Sequence, residues 1–148
     1  MRSTFDGVTA FQGLVISQTV AIINYIGRKA GMEGGTDAAY ATSQMFIAEG
    51  EDLYSGLQKH FATTGRACKC TEAERAAYWE EVVPKHFGCL EAVLDGAAAT
   101  AKYSVGDLYL FSMLHQMVLV GADKAMAASK INLFFFSPPR ICSSTLMG

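Results

Sequence analysis

The side chains best suited to hold a metal or attack an electrophile are four cysteines and three histidines. Cys68, Cys70, Cys89 and Cys142 form no dense framework. Cys68-Lys69-Cys70 leaves one intervening residue, which is wrong for a zinc knuckle, and neighbouring thiols this close cannot bridge each other without strain. The set reads as reduced thiols of a cytosolic protein. His60, His86 and His115 show no metal-ligand spacing, so no metal is expected. His115, in an apolar stretch, is expected as a hydrogen-bonded core residue. The seven methionines are expected as core filler.

The elements that must position any site come from a chain of 148 residues, the length of one domain. Hydrophobic residues make up 51% and charged residues 18%, which excludes a disordered chain. The net charge of -2 offers no basic excess for a phosphate backbone, so no nucleic-acid partner is expected. The apolar run from Phe11 to Ile26 is too short for a membrane span, and Gln12, Gln18 and Asn24 interrupt it. No small-residue cleavage site accompanies it, and the chain is expected in the cytoplasm with no membrane partner.

Leu14-Val15-Ile16 is a brief β-prone run. Ser17 then offers an N-cap to a helix carrying Val20, Ile22, Ile23 and Ile26, which stops at Arg28-Lys29 before Gly31. A lone strand would leave backbone groups unpaired, so the first dozen residues are the least determined. Thr36 caps a second, long helix with Asp37 in its first turn, fading near His60. Phe46, Leu53 and Leu57 mark one stripe, and Ala41, Met45 and Ala48 an adjoining one. Thr71 caps a third helix whose face is Ala76, Trp79, Val83, Phe87, Leu90 and Leu94, with a bend expected at Pro84. Ser104 and Asp107 form a capping box for a fourth, with Tyr103 and Leu108 as a hydrophobic staple. That helix is apolar nearly all round and is expected in the middle of a bundle. Residues 131–148, with Phe134-Phe135-Phe136 and Pro138-Pro139, are left as an irregular tail.

Four pieces, in order, carry a family likeness. Ser17-Gln18-Thr19, Ala21-Ile22, Tyr25-Ile26 and Lys29 resemble the end of the thioredoxin-like domain of cytosolic glutathione transferases. Gly50-Glu51-Asp52-Leu53 looks like the middle of the first long helix of that family's helical domain. The segment from Pro84 to Leu90, Glu91 and Leu94 is similar to a later helix, and Ser104-Val105-Gly106-Asp107 to the family's capping box. The likeness covers roughly residues 11 to 128 and is closest to the sigma, mu, pi and alpha classes.

The resemblance implies a mainly α fold, with a strand–helix remnant of the thioredoxin-like domain over 1–33, a helical domain over 36–130 and the tail. It implies conjugation of the glutathione thiolate to small electrophiles, a detoxification reaction, with glutathione as co-substrate and no bound cofactor. A homodimer is implied as well. Gln18 and Thr19 occupy the positions that bind the γ-glutamyl carboxylate at a helix N-terminus, where an amide, a hydroxyl and backbone N–H groups meet an anion. Without the likeness, Ser17 and Thr19 read first as helix caps. Asp52 matches the carboxylate sent across the dimer interface toward the γ-glutamyl amine; by itself it reads as a solvated surface acid. Asp107 is assigned to structure alone, and Tyr54 to surface packing ahead of an electrophile pocket.

The likeness is incomplete. Too few residues precede Gln18 for the strand, helix and strand that hold the family's catalytic Tyr, Ser or Cys, so no catalytic residue is nominated. The family's cis-proline has no counterpart, since the only prolines are Pro84, Pro138 and Pro139. Likeness also stops near Lys130. A truncated or mis-spliced form of a longer protein is therefore expected, with weak or no turnover. A non-catalytic dimerisation or scaffold module is the competing expectation.

Overall fold

A computed structural model of the protein describes residues 8–11, 13–61, 70–96 and 103–120. It is mainly helical, as expected. Two short strands, β1 (Val8–Phe11) and β2 (Leu14–Ser17), precede α1 (Thr19–Lys29) and α2 (Asp37–His60). α3 (Glu72–Ala77) passes through a π-helical turn (Tyr78–Val82) into α4 (Val83–Gly96), and α5 (Val105–Leu119) follows. The described residues group into two compact units. The first takes those within Met1–Ala48 and Ala97–Leu110, the second those within Glu49–Gly96 and Phe111–Gly148. The segment 131–148, together with Cys68 and Cys142, lies outside the described residues.

In the first unit β2 is not alone. It pairs antiparallel with β1, from Val8 opposite Ser17 to Phe11 opposite Leu14. The connection turns at Gly13, whose φ of 84° a residue without a Cβ adopts freely. Ser17 ends β2 instead of capping α1, and Gln18 stands at the N-cap. The far end of α1 closes as the cations and glycine predict. Gly31, at φ 67°, lets its own N–H reach the Arg28 carbonyl at 3.1 Å and the Met32 N–H reach that of Gly27 at 2.8 Å. This pair of bonds satisfies carbonyls that the last helical turn leaves open. Thr36 caps α2 by accepting the Ala39 N–H at 3.2 Å, and Gln44 Nε2 donates to Asn24 Oδ1 at 2.9 Å, tying α2 to α1.

The start of α5 also lies in this unit, and every donor of its first turn has an acceptor. Val105 N–H reaches the Met32 carbonyl at 2.9 Å, and Gly106 N–H the Ser43 hydroxyl at 3.0 Å. Asp107 N–H reaches Ser104 Oγ at 3.2 Å, and the Asp107 carboxylate accepts from the Ser104 N–H at 2.7 Å. The capping box is thus formed by the expected residues, and two neighbouring elements complete it. The staple adds little burial, because Tyr103 and Leu108 remain 46% and 50% exposed.

In the second unit the stripe Leu53 and Leu57 of α2 is fully buried, as its spacing predicts. In the first, Phe46 is buried too, but its companions are Ile47 and Ser43; Met45, Ala41 and Ala48 face outward. The face expected for the third helix is only half right. Val83, Phe87 and Leu90 are buried, but Ala76 is exposed and Tyr78 replaces Trp79 in the core. The π turn explains the slip. The Val83 N–H bonds the carbonyl of Tyr78, five residues back, so Tyr78 and Val83 share a face that an α-helix would separate. Pro84 follows at once. A proline ring collides with the carbonyl four residues before it, here that of Glu80, and the widened turn contains that residue. At the place where a bend is expected, the helix thus changes its pitch locally.

The apolar α5 is not enclosed on all sides. Tyr109, Leu110, Leu114 and Met117 are buried, but Phe111 and Leu119 are exposed. His115, expected inside, stands exposed with its ring stacked along Phe111 at a centroid distance of 6.3 Å. No helix among the described residues is long and apolar enough to cross a membrane.

Candidate functional site

Four described helices begin from non-helical chain, and three begin alike. A hydroxyl residue caps α2, α3 and α5, namely Thr36, Thr71 and Ser104, and each first turn holds an acid: Asp37, Glu72 with Glu74, and Asp107. The hydroxyl satisfies a free N–H, and the acid faces the positive end of the helix dipole. At α3 the arrangement is a full capping box. Thr71 Oγ1 accepts from the Glu74 N–H at 3.2 Å, and the Glu74 carboxylate accepts from the Thr71 N–H at 2.7 Å. Those bonds from Thr71 hold the Glu74 carboxyl below its ordinary range. Thr71 thus caps this helix as expected, and the Thr-x-x-Glu spacing encodes the reciprocal bond as well.

The fourth start, α1, has neither device. Its N-cap is Gln18, whose side chain makes no capping bond, and no acid stands in the first turn. Gln18 is also the one non-glycine residue at positive φ among those described, at φ 76° and ψ 125°. Backbone held in so sparsely populated a region costs on the order of 1–3 kcal/mol. Only the main chain of Gln18 serves the helix, its carbonyl accepting from the Ile22 N–H at 3.0 Å. Both Gln18 and Thr19 are exposed. The result is an exposed start of α1 with no capping bond from its N-cap side chain, a carboxamide and a hydroxyl at that end, and no acid in its own first turn. Nothing in residue spacing signals the positive φ. Glutamine is a poor N-cap, and that was the available hint.

The structure brings Gln18 and Thr19 together at this end of α1. Asp52 is an exposed residue of α2 and belongs to the second unit. Tyr54 is half-buried on the same helix. Ser104 and Asp107 carry the α5 cap.

The second unit holds its own cluster of polar and aromatic groups. Tyr78 is buried, and its hydroxyl donates to the Leu53 carbonyl at 3.2 Å. Burial pushes its phenol up to about 12. Gly56 makes the space, since a Cβ there would lie 2.6 Å from the Tyr78 hydroxyl. His60 stacks on the Tyr78 ring with centroids 4.7 Å apart, and burial, then the charge of Lys59, lowers its pKa. Cys70 Sγ donates to the His60 carbonyl at 3.1 Å. Cys89 on α4 is an exposed thiol. His86 Nδ1 and Glu49 Oε1 lie 2.5 Å apart, joining α4 to α2. These two residues are 37 positions apart, so no local pattern announces the pair. These contacts tie helices to one another. No protein-family model matches the chain, no curated protein matches it in sequence, and no solved structure matches it.

Proposed function

We propose that the chain is a glutathione-transferase-like protein in which the N-terminus of α1 anchors the γ-glutamyl carboxylate of glutathione. The observation that carries this reading is the uncapped, acid-free start of α1 with Gln18 at positive φ, against three capped and acid-bearing starts elsewhere. An anion placed there meets the first-turn N–H groups of α1 and the favourable end of its dipole. Gln18 contributes its carboxamide and Thr19 its hydroxyl. Asp52 is proposed as the acid for the γ-glutamyl amine, supplied by the partner copy in a homodimer. The small electrophile is left unspecified. No residue of this chain is assigned to activate the thiol, so conjugation by these 148 residues is expected to stay near the uncatalysed rate.

A second reading, a non-catalytic scaffold of the same descent, is favoured by apolar side chains exposed on the first unit. Val15 of β2 is 68% exposed and Ile26 of α1 is 50% exposed. Retention on immobilised glutathione, with elution by free glutathione, separates the two. Retention that Gln18→Ala abolishes supports the anchor. A dimer that passes the resin unretained supports the scaffold and overturns the anchor.

A further inference from the structure

We draw no further inference here: the strongest candidate, the exposed apolar side chains of Val15 on β2 and Ile26 on α1, is unpartnered apolar surface, and nothing in the structure shows what covers it.

Discussion

A methyl group added at Gly106 has nowhere to go. Its carbon would lie 2.7 Å from the Cα and 2.8 Å from the carbonyl carbon of Ser43, with the Ser43 carbonyl oxygen closer still. These are backbone atoms in the second turn of α2, so no side-chain rotation relieves the clash. α2 and α5 must separate, or the first turn of α5 must shift. Overpacking of this kind costs roughly 1–3 kcal/mol. A shift would also break the bond from the Gly106 N–H to the Ser43 hydroxyl, adding about 1 kcal/mol. Gly106→Ala is therefore expected to destabilise by roughly 2–4 kcal/mol. Gly88 in α4 supplies the control, because nothing lies within 4 Å of a Cβ added there. Gly88→Ala is expected to stabilise by roughly 0.5–1 kcal/mol through backbone entropy alone. The assay is urea unfolding followed by circular dichroism, with the midpoint falling for the first variant and rising for the second. An unchanged or raised midpoint for Gly106→Ala would refute the close helix crossing.

Three further outcomes follow from other parts of the fold. Tyr78 has its phenol raised from 10.0 to about 12 by burial. The folded state then holds a proton that the unfolded chain releases, so stability is intact below pH 10 and falls as pH rises toward 12. Tyr78→Phe should flatten that window, and a phenolate absorbance titration showing all tyrosines ionising together near pH 10 would contradict it. At the other end of the scale, the Glu74 carboxyl is lowered from 4.5 by its bonds from Thr71. Its contribution is present above pH 4.5 and lost as pH falls below it, and Glu74→Gln should remove that acid dependence from the unfolding midpoint. Gln18→Gly removes the Cβ at φ 76° and should hold the unfolding free energy or raise it by up to about 2 kcal/mol while weakening glutathione binding. A clear loss of stability in that variant would mean that the residue is not strained.

The parts of the fold legible in the sequence are those encoded locally. Thr36, Thr71 and Ser104 are each followed by an acid in the first helical turn, and each caps a helix. Arg28-Lys29 before Gly31 marks a stop that the backbone bonds of Gly31 and Met32 carry out. What was not legible depends on partners distant in sequence or on a change of pitch. Val8-Thr9-Ala10-Phe11 has no signature of its own and becomes a strand by pairing with β2. The exchange of Trp79 for Tyr78 in the core follows from the π turn ahead of Pro84, which a fixed helical period cannot anticipate. The exposure of His115 and Leu119 shows that an apolar helix is not always a central one. At the candidate site, residue types at Gln18 and Thr19 were readable, but the positive φ that sets this helix start apart was not.

The central claim is that the N-terminus of α1 holds the carboxylate of glutathione. Titration calorimetry of the purified chain with glutathione, beside Gln18→Ala at matched helix content by circular dichroism, tests it most directly. Saturable binding that is lost in Gln18→Ala is the predicted result. Absence of binding by a folded chain, or binding that Gln18→Ala leaves unchanged, would contradict the claim.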